Sequence, residues 1–180
     1  MIELEQRIAR LEAREQIRNL VTDYSIAVDD RDVSTIGRLF TADGVFAHAD
    51  GSLVMEGSAA VVDFYSERLG EMGPTYHYPH SHRIDFADDD NASGVVLAHA
   101  ELAFGGVTSY TALRYLDKYR CTDGVWQFAE RRVKFLFFMP LSDFVDGGLG
   151  ETNRKRYPGQ PSEATDLPEG QASWQAFHRR

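Results

Sequence analysis

Apolar residues near the start of the chain recur at three- and four-residue steps, the spacing of an amphipathic helix. They run from Leu4 to Val28, with charged residues between them. The pattern predicts a helix of almost 30 residues. Because this is long for a small domain, we expect a joint near Glu12–Arg14.

Shorter elements follow this helix. Asp32 and Ser58 each precede an apolar periodic segment and are suitable N-caps. Asp43 and Gly44 form a turn signal between segments. The predicted elements are a helix from Val33 to Phe40, strands at Val45–His48 and Leu53–Met55, and a helix from Ser58 to Gly70.

From residue 75 the pattern becomes typical of strands, separated by short segments rich in Asp, Asn and Gly. The predicted strands are His77–Phe86, Ser93–Ala103, Val107–Arg120 and Val125–Phe138. Helices followed by long meandering strands indicate an α+β fold, with helices packed on one face of a curved antiparallel sheet. A bulge near Pro79 is expected, because strict alternation would put His77 and Ile84 on opposite faces.

The last 40 residues differ from the rest. The stretch 140–180 holds four of the six prolines and five of the fifteen glycines, which disfavours regular structure. We therefore expect a domain at 1–140 and an extended tail at 141–180 that wraps the surface or a neighbouring subunit. A short helix is expected near Ser173–His178.

The balance of charge limits the partners of this protein. The formal net charge is −9, which disfavours binding to nucleic acid or to an anionic membrane. The apolar run Phe135–Leu141 is too short to span a bilayer, and the N-terminus lacks the apolar region of a signal peptide. A cytoplasmic protein is expected. The single cysteine, Cys121, excludes an intrachain disulfide.

Two features of the sequence suggest acid–base chemistry. Three of the six histidines lie between His77 and His82, but neither a cysteine nor a second histidine pair accompanies them at metal-ligand spacing. No metal is therefore expected. Asp29 closes an apolar helix face, where the helix dipole disfavours a negative charge. A residue placed against that preference suggests another role.

The order of several segments resembles the SnoaL-like branch of the nuclear transport factor 2-like superfamily. The similar segments are Arg14–Leu20 with Tyr24, Ala27–Asp29, Leu39–Val45, His77–Ile84, Tyr115–Arg120 and Asp123–Phe128. Together they cover about residues 5–140. The resemblance implies a cone-shaped α+β barrel, in which a strongly bent sheet wraps around the helices and encloses a deep pocket.

The same resemblance implies catalytic residues. Cofactor-free lyases of the superfamily include hexachlorocyclohexane dehydrochlorinase, scytalone dehydratase and bile-acid 7α-dehydratase. By position, Asp29 and His77 match a catalytic dyad, and Arg131 matches an arginine on the last strand. Tyr24 stands where the dehydrochlorinase has lysine, and in this it resembles the bile-acid enzyme. That difference favours an oxygenated substrate.

Strand alternation adds substrate-binding candidates to this set. They are Arg131, Val133 and Phe135 on the last strand and Phe46 and His48 on the first short strand. Arg131 is equally well explained as an ion-pair partner, and His48 as a surface residue beside a turn. His99 lies on the other face of its strand and is expected at an interface or in solvent.

We therefore expect a cofactor-independent lyase, most simply a dehydratase, that acts on a small hydrophobic cyclic or aromatic molecule. An isomerase or polyketide-type cyclase would use the same residues. A non-catalytic ligand-binding protein, or one like the β-subunit of ring-hydroxylating dioxygenases, is the third alternative. The outer sheet face and the aromatic residues of the tail predict a homodimer or homotrimer.

Overall fold

The computed structural model describes residues 4–179. The first three residues of the predicted domain and the last residue of the predicted tail lie outside this range. The helices are α1 (Leu4–Asp29), α2 (Val33–Leu39), α3 (Ser58–Gly70), α4 (Leu141–Val145) and α5 (Ala172–His178). A 3₁₀ turn, Gly148–Gly150, follows α4.

Six strands form one curved sheet in the order β2-β1-β6-β5-β4-β3. They are β1 (Phe40–His48), β2 (Val54–Glu56), β3 (Met72–Phe86), β4 (Asn91–Phe104), β5 (Val107–Thr122) and β6 (Val125–Pro140). All neighbours are antiparallel except β1 and β6, which run parallel. The predicted α+β class, with helices against a bent and mainly antiparallel sheet, is confirmed.

Two register shifts interrupt β3, one between Met72 and Thr75 and one beyond Pro79. Pro79 pairs with Ala98, but the next pair on the strand is His82 with Val96, so β3 carries one extra residue. The bulge predicted near Pro79 is therefore present. Because one extra residue reverses the alternation of faces, His77 before the bulge and Ile84 after it both face the helices.

Three local predictions are corrected by the structure. Helix α1 is continuous from Leu4 to Asp29, without the expected joint. Helix α3 is preceded by Gly57 as N-cap, and Ser58 is its first helical residue. Asp43 and Gly44, expected to form a turn, lie inside β1. They fall at a shift in the pairing of β1 residues with β6 residues.

The core lies between the concave face of the sheet and the helices. Helix α1 contributes one buried stripe that includes Ile17, Val21 and Tyr24, and α3 contributes Val61 and Tyr65. These side chains pack against apolar residues that project from all the long strands. Hydrophobic burial of this kind is the main stabilising contribution to the fold.

The segment after α4 lies against the end of β6. The Phe138 N–H donates to the Arg154 carbonyl at 2.8 Å, and the Arg156 N–H donates to the Phe138 carbonyl at 2.6 Å. Further on, the Leu167 N–H donates to the Phe135 carbonyl at 3.1 Å, and the Leu167 side chain is buried. This part of the tail therefore extends the wall of the fold beside β6.

Candidate active site

The last residue of α1 and the first half of β3 meet at one end of the core. His77 Nδ1 lies 2.7 Å from Asp29 Oδ1, and the His77 backbone N–H donates to Asp29 Oδ2 at 2.8 Å. The two residues that match a dyad by position are therefore in hydrogen-bond contact. Since an ionised carboxylate can only accept, Nδ1 donates this hydrogen bond, and Nε2 is the ring nitrogen that stays outside it.

The Asp29 carboxylate is well supplied with donors. Thr75 Oγ1 donates to Asp29 Oδ1 at 2.9 Å, and Arg31 Nη1 donates to Thr75 Oγ1 at 2.8 Å. Burial alone would raise the pKa of Asp29, but the hydrogen bonds from His77 and Thr75 outweigh it and lower that pKa. Asp29 is therefore ionised at neutral pH despite its place at a helix C-terminus.

A largely apolar cavity of about 110 Å³ lies beside this pair, between the helices and the sheet. An apolar cavity of about 150 Å³ holds benzene in another protein, so this one is on the scale of a single ring. Of the residues predicted from the sequence, those that line it are Tyr24, Phe46, His48, His77, Val133 and Phe135.

Two tyrosine hydroxyls meet in the cavity wall. Tyr24 on α1 and Tyr65 on α3 share a hydrogen bond, and both residues are buried. Burial raises the pKa of Tyr24 and of Tyr65 far above the usual value, so both hydroxyls stay protonated at neutral pH. Because one hydroxyl donates to the other, one O–H remains free to donate elsewhere.

His48 is held at the other side of the cavity. Its Nδ1 lies 3.1 Å from Ser52 Oγ, and its ring meets Phe135 edge-on with centroids 5.4 Å apart. Burial lowers the pKa of His48, and the nearby Lys155 ammonium lowers it further. His48 is therefore neutral at pH 7 and offers hydrogen bonding rather than charge.

Arg131 does not line the cavity. It is completely buried, and Asp117, its direct neighbour on β5, accepts from its Nε at 3.0 Å and from its Nη2 at 2.8 Å. Its guanidinium carbon lies 4.3 Å from the Tyr24 ring centroid and 4.0 Å from that of Tyr115. Arg131 therefore contacts the tyrosines of the cavity wall from behind, as an ion-pair partner of Asp117.

A second layer extends this ion pair towards β3. Tyr119 donates to Asp117 Oδ2 at 2.7 Å, and its hydroxyl lies 3.0 Å from His82 Nε2. The hydroxyl proton is used by Asp117, so His82 must donate from Nε2. Gly94 lies below the pair, and a Cβ there would come within 2.9 Å of both His82 Nε2 and the Tyr119 hydroxyl.

Sequence reasoning missed three parts of this region. Tyr65 falls in the predicted helix from Ser58 to Gly70 and Asp117 in the predicted strand Val107–Arg120, and neither has a predicted role. Tyr157, from the tail, also lines the cavity. No local signal marks Asp117, because a register shift between Lys118 and Tyr119 is what brings it opposite Arg131.

Residues 4–179 contain no group of three or more His, Cys, Asp or Glu side chains that could hold a metal ion. Over the same range, no helix has the length and apolar character needed to cross a membrane.

A family model described as the SnoaL-like domain matches residues 9–132, more than half of the chain. The chain belongs to the SnoaL-like domain family. The match includes the dyad, the Tyr24–Tyr65 pair and Arg131, and it ends before the tail begins. The resemblance noted in the sequence is thereby confirmed.

Two similar proteins bear on the activity of this chain. Gamma-hexachlorocyclohexane dehydrochlorinase of Sphingobium indicum is 29% identical over 136 residues, which cover 74% of this chain and 86% of that protein. The crystal structure of LinA superposes with a TM-score of 0.71 at 26% identity, over 76% of this chain and 94% of that one. These relatives indicate a lyase-type enzyme.

A scytalone dehydratase-like protein of Novosphingobium aromaticivorans has the same fold, with a TM-score of 0.70. It is 18% identical, and the superposition covers 86% of this chain and 99% of that one. At this identity the likeness concerns the fold alone.

Proposed function

We propose that this protein is a cofactor-independent lyase that eliminates water from a small cyclic or aromatic substrate. The observation that carries the proposal is the 2.7 Å contact between His77 Nδ1 and Asp29 Oδ1, with His77 in the wall of a ring-sized apolar cavity. A neutral imidazole is a suitable base at pH 7, and Asp29 fixes its tautomer.

The proposed reaction begins at His77 Nε2. This nitrogen takes a proton from a carbon of the substrate, and the electron pair of the C–H bond becomes the new C=C bond. Asp29 stabilises the imidazolium that forms, because a negative charge beside the ring favours its protonated state. The imidazolium then returns the proton to the departing hydroxyl, which leaves as water.

The tyrosine pair supports an oxygenated substrate. The free O–H of Tyr24 or Tyr65 can donate to a carbonyl or enolate oxygen that gains charge during the reaction. The raised pKa of both hydroxyls keeps them as donors and prevents them from competing as bases. Arg131 lies behind Tyr24 and acts on the cavity indirectly, through the tyrosine rings.

The names of the curated relatives describe dehydrochlorination of hexachlorocyclohexane. Elimination of chloride is therefore the alternative reaction to test. We compare the two leaving groups directly. Wild-type protein is given 3-hydroxycyclohexanone, whose dehydration yields an ultraviolet-absorbing enone, and γ-hexachlorocyclohexane, whose elimination releases chloride. Turnover of the hydroxyketone is expected to be the faster reaction.

His77→Gln is expected to lower turnover by at least about a thousandfold, because the amide cannot act as a base. Asp29→Asn is expected to lower it strongly as well, through the wrong imidazole tautomer. The exposed His178 provides a matched control, and His178→Gln should behave as wild type. Equal turnover by His77→Gln and wild type would contradict the mechanism, and no turnover of either compound would contradict the substrate class.

We also propose that copies of this chain associate as a dimer or trimer through the outer face of the sheet. Tyr76, Tyr78 and Leu97 are exposed there, and the His80 and His99 rings stack 4.7 Å apart. Light scattering at micromolar concentration should give two or three times the mass of one chain. A strictly monomeric mass would refute this.

A further inference from the structure

The mouth of the cavity is formed by α3. Phe64 and Arg68 line the cavity and also line an adjoining open groove of about 310 Å³. Arg68 therefore lies where a bound ring would meet solvent. Among the cavity-lining side chains it is the one that carries a permanent positive charge.

The guanidinium of Arg68 rests on aromatic rings. Its central carbon lies 4.5 Å from the ring centroid of Phe104 and 5.6 Å from that of Tyr157. Its carboxylate neighbour is Glu71, one turn further on, with an N···O distance of 3.5 Å and a side chain that is 58% exposed. Such a surface pair is weak and longer than a hydrogen bond, so the fork of donors remains available.

Tyr157 completes the mouth from the tail. Its ring packs on Phe138 with centroids 4.2 Å apart, and the tail is held there by the backbone bonds between Phe138, Arg154 and Arg156. Burial raises the pKa of Tyr157, so its hydroxyl is a neutral donor at pH 7. The family match ends at residue 132, which makes this wall a feature outside the shared domain.

Neighbouring charges do not duplicate Arg68. The ammonium of Lys155 is engaged by Asp50 at 3.5 Å and by Glu163 at 3.1 Å. His48 is neutral at pH 7, as shown above. Among the described residues that line the cavity, Arg68 is therefore the one with a permanent positive charge, and most of the other lining side chains are apolar.

We propose that the mouth of the cavity is a carboxylate-binding subsite, in which Arg68 and Tyr157 hold the acid group of a substrate whose ring fills the cavity. An arginine fork matches the two oxygens of a carboxylate, and a tyrosine hydroxyl adds a third donor. The orientation of the ring towards His77 rests on the proposed function, but binding of the acid group does not.

The test compares two ligands that differ in this group. Cyclohexanecarboxylate and the uncharged cyclohexanemethanol are titrated into the full chain by calorimetry at pH 7.5 and low salt. Wild-type protein should bind the carboxylate at least tenfold more tightly. Arg68→Gln should remove most of that ratio while binding of the alcohol stays within twofold, and Arg68→Lys, which keeps charge without the fork, should be intermediate.

Two further variants test the assignment. Tyr157→Phe should weaken binding of the carboxylate severalfold, since it loses one donor. Arg83→Gln is the matched control, because Arg83 is exposed and pairs with Asp85 outside the cavity, and it should bind as wild type. Circular dichroism is used to check that each variant is folded.

Equal affinity of the two ligands for wild type, or an unchanged ratio in folded Arg68→Gln, would overturn the subsite. Failure to bind either ligand would overturn it as well. His77→Gln should retain the preference for the carboxylate. A wild-type preference that persists in His77→Gln would thus support the subsite even if the proposed elimination were wrong.

Discussion

Two hydrogen-bonded pairs of the same core, Asp29–His77 and Asp117–Arg131, differ in their access to solvent. The side chains of Asp29 and His77 are 21% and 17% exposed, and His77 lines the cavity. Those of Asp117 and Arg131 are completely enclosed. The partner of Asp29 is an imidazole, whereas the partner of Asp117 is a permanently charged guanidinium.

This difference separates a reactive pair from a structural one. A histidine next to an ionised carboxylate and a cavity can accept a proton and release it again. An arginine enclosed with its carboxylate can do neither, but it fixes the position of every ring that touches it. The core of this protein therefore contains one pair, Asp29–His77, that is suited to proton transfer. The other, Asp117–Arg131, holds the tyrosines of the cavity wall in place.

The largest expected effect is on the enclosed pair. Asp117→Asn leaves Arg131 charged and buried without a counterion, and should lower the free energy of unfolding by about 3–5 kcal/mol. Urea unfolding at pH 7 measures this. The double change Asp117→Leu with Arg131→Met should recover most of the loss. Asp43→Asn, at an exposed pair with Arg120, is the control and should cost less than about 1 kcal/mol.

The enclosed pair also predicts a dependence on pH through His82. Burial lowers the pKa of His82 to about 4, below its usual value. Between pH 6.5 and about 4 the unfolded chain therefore binds more protons at this residue, so stability must fall as pH falls. Allowing for partial exposure, this change is about 2 kcal/mol.

Urea unfolding of wild type and His82→Gln at pH 7 and pH 4.5 measures the difference, and the variant should show the smaller loss. Equal losses would mean that His82 is not held neutral by the fold.

The pair of Asp29 and His77 responds to pH over a lower range. The lowered pKa of its carboxyl gives stability that is complete above about pH 4 and is lost only below it.

The smallest expected effect is on the stability of the open pair. Asp29→Asn keeps an oxygen that can accept from the His77 backbone N–H, and the site is partly solvated. The free energy of unfolding should therefore fall by only about 1 kcal/mol. Thermal unfolding at pH 7 tests this. A loss as large as that of Asp117→Asn would remove the distinction between the two pairs.

Much of the reactive region could be predicted from the chain. Asp29 ends a periodic apolar stripe, and the resemblance to the SnoaL-like branch implies that it pairs with His77 on the first long strand. The apolar wall residues Phe46, Val133 and Phe135 follow from alternation on strands whose faces are correctly assigned. These predictions depend on local patterns, which the sequence contains directly.

The remainder depends on how distant segments pair. The register of β5 against β6 places Asp117 beside Arg131, and the packing of α3 on α1 brings Tyr65 to Tyr24. Tyr157 reaches the cavity because the tail lies along β6, in a stretch whose composition predicts irregular chain. None of these contacts has a local signature, because each joins residues that are far apart in sequence.

The bulge in β3 has a consequence for how this fold can vary. It works as a phase shift between two halves of one strand, so the half with His77 and the half with Ile84 each keep their own inward-facing set. Deletion of the extra residue would reverse which side chains of one half face the helices and leave the other half unchanged. Either His77 or Ile84 would then face away from the helices, so the candidate dyad and the core both depend on this one residue.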